Sequence, residues 1–108
     1  MFKLIPDPTF TEDIELTIPG KVKTGTLKIT FNYKDDKAVE EFRKESEDKK
    51  YIDVLPEIIV GWSGIPQEYN EENLAILLKN YPMAGFEIMT AYYLLIRGTR
   101  VKNSKLLP

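Results

Sequence analysis

With 108 residues, of which 43% are hydrophobic and 30% charged, the chain has the length and composition of one soluble globular domain. It contains neither cysteine nor histidine, which excludes disulfides and thiolate chemistry and removes the commonest general base and metal ligand. The net charge of −2, the lack of an export signal and the lack of a long apolar run favour a cytoplasmic protein that binds neither nucleic acid nor membranes.

Alternating apolar and polar residues predict an N-terminal β-hairpin at about 11–34. Its strands are expected at about 11–18 and 26–34, with Pro19 and Gly20 in the turn that follows the first strand. Because an isolated hairpin is only marginally stable in water, its apolar face is expected to pack on helices.

The highly charged segment KDDKAVEEFRKESEDKK predicts a solvated helix from Lys37 to about Glu47, with Asp35 or Asp36 as its N-cap. Its apolar stripe is thin, so we expect it to contact the core at few points. A site where charge steers a partner towards the protein is the alternative.

A short helix is predicted at about 54–60, with Asp53 as its N-cap and Gly61 as the residue that stops it. Pro56 then falls in the first turn, where a backbone N–H has no intrahelical partner. A longer helix that begins near residue 49 and kinks at Pro56 is the alternative. Trp62 is expected to be largely buried, close to this helix or to the next one.

Two more helices follow. Asn70 is the expected N-cap of the first, which ends at Pro82, and the second runs from Pro82 to Arg97 with Gly98 as its stop.

The predicted fold class is therefore α+β, with the β-hairpin packed on a mostly helical part of about four helices. Residues 1–108 form a single domain, in which the helical part covers about 36–98 and a basic tail, 99–108, is expected to fray.

Ser63 lies in VGWSGIP, a stretch that resembles the turn presenting a hydrolase nucleophile. That turn requires Gly-x-Ser-x-Gly between a strand and a helix, with a histidine elsewhere in the chain. Here Ile65 occupies the second glycine position, the preceding segment is predicted to be helical, and the chain has no histidine. We therefore interpret Ser63 as a loop residue and the chain as a protein that is not an enzyme.

Other chemical sites find little support in the sequence. Glu68, Glu71 and Glu72 match no metal-binding loop, and the dipole of the following helix accounts for the last two. No glycine-rich phosphate loop occurs, and the basic tail lacks the interleaved aromatic residues of a nucleic-acid site. We predict no cofactor and no metal.

Residues 83–97, MAGFEIMTAYYLLIR, form a helix that is apolar on almost its whole circumference. Its core face is expected to contain Ala84, Ile88, Ala91, Tyr92 and Leu95. The opposite side of a surface helix should be polar, so its apolar residues indicate a protein partner, with complete internal burial as the alternative. The predicted protein-binding strip consists of Phe86, Met89, Tyr93, Leu94, Arg97 and Arg100.

Three stretches, FKLIPDPTF, EIIVGWSGI and NEENLAILLKNYPMAGFEIMTAYYLLIRGTRVKN, together resemble the tail assembly chaperones of long-tailed bacteriophages. The resemblance is carried by the tryptophan–glycine corner, the Glu-Asn-Leu helix, the Tyr-Pro break and the closing R-x-x-R-x-K-N. It covers nearly the whole chain. Pro56, inside the middle helix, departs from the pattern.

The resemblance implies a non-catalytic protein of the host cytoplasm that binds the tape measure protein and keeps it soluble until the tail tube polymerises around it. It also implies self-association, the tail tube protein as a further partner to consider, and a short form of a product that is also made in a longer, frameshifted form. A permanent tail or head–tail completion subunit of the virion is the alternative.

Overall fold

The computed structural model describes residues 2–98. Within them, three β-strands and four α-helices form an α+β fold, which confirms the predicted fold class. The elements are β1 (Thr9–Thr17), β2 (Thr24–Asn32), α1 (Asp36–Ser46), α2 (Tyr51–Val54), a 3₁₀ turn (Leu55–Glu57), β3 (Ile59–Ser63), α3 (Glu71–Asn80) and α4 (Ala84–Ile96).

The strands form one antiparallel sheet in the order β1-β2-β3. Because side chains alternate along a strand, one face of the sheet is apolar and buried, with Ile14, Leu16, Leu27, Ile29 and Phe31. The other face is polar and its strands are joined by side-chain pairs, namely Thr11 with Thr30, Asp13 with Lys28, and Glu15 with Thr24. The sheet therefore has a single side on which helices can pack.

The predicted helix at 54–60 is wrong. Helical structure begins at Tyr51, changes to a 3₁₀ turn at Leu55 and ends before Ile59, so the alternative of an earlier helix that changes geometry at Pro56 is closer to the structure. The residues that follow pair with β2 as a third strand.

The third strand forms because β2 offers an edge to which the β-branched residues Ile59 and Val60 are well suited. Its register shifts at a bulge between Thr30 and Phe31 of β2. Gly61 lies inside this strand and does not end a helix, and Ser63 is the last residue of the strand and not a loop residue.

The predicted capping residues of the other helices agree with the structure. Asp35 accepts a hydrogen bond from the N–H of Ala38 at 2.8 Å, and Asn70 accepts one from Asn73 at 2.7 Å. Gly98 follows α4 with a φ of +87°, which few residues other than glycine adopt. Helix α4 itself begins at Ala84, two residues later than expected.

The core is centred on Tyr92, which is completely buried. Its ring lies 5.3 Å from that of Phe31 and 6.2 Å from that of Phe42, measured between centroids. Its hydroxyl donates a hydrogen bond of 2.9 Å to the carbonyl of Asn32. Tyr92 therefore joins α4 to both the sheet and α1.

Candidate protein-binding surfaces

Helix α4 lies along β1, with Glu87 hydrogen-bonded to Thr17 near the hairpin turn and Tyr92 hydrogen-bonded to Asn32 at the other end of the sheet. Its residues Ala84, Ile88, Ala91 and Tyr92 are buried, which confirms the core face expected from the helical periodicity. Leu95, expected on the same side, is half-buried. Because this side of α4 is occupied by the core, only its remaining sides are available to a partner.

Glu87 joins the first half of α4 to the end of β1. Its carboxylate accepts a hydrogen bond of 2.9 Å from the backbone N–H of Thr17 and one of 2.5 Å from the Thr17 hydroxyl. Hydrogen bonds to an ionised acceptor are stronger than those between neutral groups. This contact fixes α4 along the hairpin and thereby places its neighbour, Phe86, at the surface.

The first candidate surface is a cleft of about 570 Å³ between α4 and the hairpin, which we call the acidic cleft. Phe86, 54% exposed, and Leu94 contribute apolar surface to it. Three carboxylates also lie along it, those of Asp13, Glu15 and Glu87. Lys28 pairs with Asp13 at 2.9 Å, so the cleft combines apolar surface with an excess of negative charge.

The structure divides the predicted strip of α4. Phe86 and Leu94 line the acidic cleft, whereas Tyr93 is half-buried against α1, with the Arg43 guanidinium 4.2 Å from its ring centroid and the Phe42 ring 6.3 Å away. Burial raises the pKa of the Tyr93 hydroxyl above its usual value, although nearby Arg43 acts in the opposite direction. Met89 is also half-buried.

The basic end of the strip is only partly within the described region. Arg97 is exposed directly after α4, whereas Arg100 lies outside the described residues. The residues of the strip that reach one common surface are therefore Phe86 and Leu94.

The second candidate surface is a groove of about 560 Å³ between the sheet and α3, which we call the apolar groove. Ile76 on its wall is 52% exposed and Ile65 is 40% exposed. The other apolar residues along it are Leu16, Ile18, Leu27, Trp62, Leu77 and Tyr81. A volume in the range of typical ligand sites, roughly 300–1,000 Å³, and a mainly apolar wall are properties of a binding site.

Trp62 forms part of the wall of the apolar groove and is half-buried. Its indole N–H donates a hydrogen bond of 2.8 Å to the carbonyl of Gln67, and its ring meets Tyr69 edge to face at 5.1 Å. Trp62 shares the groove with residues of α3, as predicted, and it packs against the core while keeping part of its surface exposed. The loop after β3 holds it at the rim of an open groove.

Sequence reasoning missed this groove because its residues come from distant parts of the chain. One local signal existed: Ile76 lies outside the apolar stripe of α3, which contains Leu74, Leu77 and Leu78. An isoleucine on the solvent side of a helix needs no explanation when it is alone. Only the fold shows that Ile76 faces the same space as Ile65 and Trp62.

The described residues do not bring together the side chains that a nucleophile turn or a metal site requires. Ser63 ends a strand and is not preceded by a helix, so that part of the argument against a nucleophile turn is wrong, but no helix begins directly after it. Within residues 2–98, no group of three or more acidic side chains is placed to hold a metal ion. Glu71 and Glu72 lie in the first turn of α3, as the dipole argument predicts.

Residues 2–8, which we call the N-terminal arm, extend from the sheet. Phe2, Leu4 and Ile5 are between 80% and 92% exposed. Lys3 pairs with Asp7 at 2.7 Å. Three large apolar side chains in so short a segment are unusual on a protein surface.

Comparison with known proteins adds a family. A family model described as phage tail assembly chaperone matches residues 1–103. No curated protein and no solved structure matches the chain. None of the helices within residues 2–98 is long and apolar enough to cross a membrane.

Proposed function

The chain belongs to the phage tail assembly chaperone family, and from this membership we propose that it binds the tape measure protein and keeps it soluble until the tail tube polymerises around it. We propose that this happens in the host cytoplasm and involves no catalysis. The observation that supports the proposal most directly is the acidic cleft, where Phe86 is exposed on a helix whose opposite side is core.

The cleft is suited to a helical segment of the tape measure protein that carries an apolar stripe. Phe86 and Leu94 are two turns apart on α4, so they can contact successive turns of one partner helix. Aromatic residues at the centre of an interface commonly contribute about 2 kcal/mol or more to binding. Phe86 is therefore the expected anchor.

The charge of the cleft restricts the partner further. The carboxylates of Glu15 and Glu87 accept hydrogen bonds from threonine and have no cation within salt-bridge distance among residues 2–98. A partner segment with lysine or arginine beside its apolar stripe would compensate them. Such charges at the rim of an interface accelerate association more than they strengthen binding. Arg97 lies beyond the end of α4 and would select for acidic residues at the far end of the segment.

The test is co-expression of the chain with the tape measure protein, with the soluble fraction of the latter as the readout. Phe86→Asp should reduce that fraction strongly, because it places a charge where the partner's apolar stripe packs. Val22→Asp is the matched control, since Val22 is a fully exposed apolar residue in the hairpin turn. It should leave solubility unchanged.

Two outcomes would contradict the proposal. Equal effects of both variants would mean that net charge, and not the cleft, governs solubility. Detection of the chain in purified virions by mass spectrometry would favour a permanent structural subunit, because a chaperone leaves before the tail is complete.

A further inference from the structure

The basic tail, residues 99–108, lies outside the described residues, and its sequence, TRVKNSKLLP, has the chemistry that the acidic cleft requires of a partner. It contains three basic residues, Arg100, Lys102 and Lys105, and no acidic residue. Leu106 and Leu107 follow the last of them. The chain thus carries, directly after α4, a segment that combines positive charge with apolar side chains.

The negative charge of the cleft is only partly compensated by the described residues. Lys28 pairs with Asp13 at 2.9 Å. Glu15 and Glu87 instead accept hydrogen bonds from threonine hydroxyl groups, and neither has a cation within salt-bridge distance among residues 2–98. A cation beside them in a partly enclosed cleft is attracted more strongly than in bulk water, because the effective dielectric constant is lower. The cleft therefore favours a basic occupant.

The apolar groove is a less suitable place for this segment. Among the described residues that line it, none is acidic or basic, and its polar members are Thr26, Gln67, Asn73 and Asn80. A lysine or arginine that entered it would lose water without gaining an opposite charge, which is unfavourable. Charge thus makes the acidic cleft the better match for the basic tail.

The basic tail is also long enough to reach along the cleft. It begins directly after Gly98, whose φ of +87° turns the chain away from the axis of α4. Phe86 lies twelve residues before Gly98, and at about 1.5 Å of rise per residue it is about 18 Å away along the helix. Leu106 lies eight residues after Gly98, and an extended chain of that length spans up to about 26 Å. A chain that reverses after Gly98 can therefore bring its apolar end to Phe86.

We propose that the basic tail docks in the acidic cleft of its own chain and occupies the site where the tape measure protein binds. Its basic side chains lie beside Glu15 and Glu87, and Leu106 and Leu107 pack on Phe86. The contact is autoinhibitory, because a partner segment can enter only when the tail leaves. A ligand tethered by a few residues has an effective concentration in the millimolar range, so even a weak contact competes with a partner in solution. The competition rests on the proposed function of the cleft, whereas the docking of the tail does not.

Disulfide formation within one chain tests the docking in the absence of any partner. The chain has no cysteine of its own, so Thr90→Cys with Ser104→Cys introduces a single pair. Thr90 lines the cleft and is exposed, and both substitutions leave Phe86 and the basic residues intact. Under mild oxidation the pair should close within a monomer, and high salt should slow closure by about fivefold or more, because it screens the attraction. A disulfide that forms only between two chains would place the tail on another copy and overturn the proposal.

Two further versions of this double-cysteine chain separate a specific contact from random encounters of a tethered tail. The first adds Arg100→Gln and Lys102→Gln, which remove two charges from the tail. The second adds Lys37→Gln and Lys49→Gln, which remove the same charge at exposed lysines that do not line the cleft. Closure should slow by about fivefold in the first version and keep its rate in the second. Equal rates in all three chains would contradict docking.

The inhibition is tested on chains without cysteine, by co-expression with the tape measure protein in excess over the chain. Arg100→Gln with Lys102→Gln should raise the soluble fraction of the tape measure protein by about twofold or more, because a larger fraction of chains is competent to bind. Lys37→Gln with Lys49→Gln should leave it unchanged. An unchanged or smaller soluble fraction in the tail variant would overturn autoinhibition. Since the disulfide forms without the tape measure protein, docking can fail while Phe86→Asp still supports the proposed function, and the reverse result is equally distinguishable.

Discussion

Helices cover the apolar face of the sheet completely at one end, which we call the closed end, and only partly at the other, which we call the open end. At the closed end, Tyr92 of α4 lies against Phe31 and Phe42 of α1 lies against Tyr92, and neither Phe31 nor Tyr92 is exposed. At the open end, α3 lies beside the sheet but leaves Trp62 half-buried and Ile76 exposed. The comparison teaches that apolar composition alone does not separate core from binding surface. An apolar residue belongs to the core when another element of the same chain packs over it, and to a candidate binding surface when none does.

The closed end should therefore carry most of the stability, and Tyr92→Ala should have the largest effect. Removing a fully buried aromatic side chain costs about 3–5 kcal/mol, and this one also joins α4 to β2. Because a domain of this size has only about 5–15 kcal/mol of stability in total, the variant should unfold at a much lower urea concentration. A midpoint of unfolding close to that of wild type would mean that the closed end is not the core.

The contact between α4 and α2 gives the second largest effect. A Cβ at Gly85 would overlap the ring of Tyr51 and lie 2.9 Å from its Cβ, so rotation of the ring cannot relieve the clash. We expect Gly85→Ala to destabilise the fold by about 1–3 kcal/mol, although alanine favours a helix by about 1 kcal/mol over glycine.

The matched control for Gly85→Ala is Gly61→Ala, because a Cβ at Gly61 would have no heavy atom within 4 Å. Thermal unfolding of the two variants separates steric overlap from the general effect of replacing glycine. Similar melting temperatures would show that α2 moves aside readily and that its contact with α4 is loosely packed.

The hydroxyl of Tyr92 predicts a smaller effect that depends on pH. Burial raises its pKa well above the usual value, which is about 10 in an unfolded chain. The neutral form is thus favoured by folding, so this stabilisation is fully present below pH 10 and declines as pH rises further, when the unfolded chain loses its proton first.

Tyr92→Phe should cost about 0.5–1.5 kcal/mol at neutral pH, because the hydrogen bond to Asn32 is lost. It should also make the alkaline loss of stability shallower. A residual loss should remain, since burial also raises the pKa of Tyr69 and Tyr93. Urea unfolding of both proteins between neutral pH and pH 11 measures the difference, and parallel curves would mean that Tyr92 ionises without unfolding the protein.

The sequence patterns predicted most of the local elements but not the third strand, which lies at the open end. The hairpin, α1 and the two C-terminal helices follow from local signals, namely period-two alternation and the capping residues Asp35, Asn70 and Gly98. The strand at Ile59–Ser63 does not, because its partner is an edge of β2 about 30 residues away in sequence. Local periodicity favoured a helix there, and this error concealed the groove.

The same limit applies to the strip on α4. Phe86 and Tyr93 are seven residues apart and so lie on one side of the helix. Periodicity cannot reveal that α1 reaches the second residue and not the first. Arg43 of α1 covers Tyr93, whereas Phe86 remains exposed. This difference depends on the position of α1 in the folded chain.

The smallest effect on stability is expected at the open end, where Ile76→Gln tests whether the apolar groove is a surface or a poorly filled core. Glutamine keeps the length of the side chain and suits a helix, and Ile76 is 52% exposed. A surface substitution of this kind changes the free energy of unfolding within about ±0.5 kcal/mol. Leu74→Gln, two residues earlier at a completely buried position of the same helix, is the matched contrast and should destabilise by several kcal/mol, because it buries an unpaired amide. If urea unfolding shows both variants to be equally destabilised, Ile76 belongs to the core in solution and the groove is closed. If only Leu74→Gln is destabilised, the residues at the open end are apolar without contributing to stability, as expected of residues that serve to bind another chain.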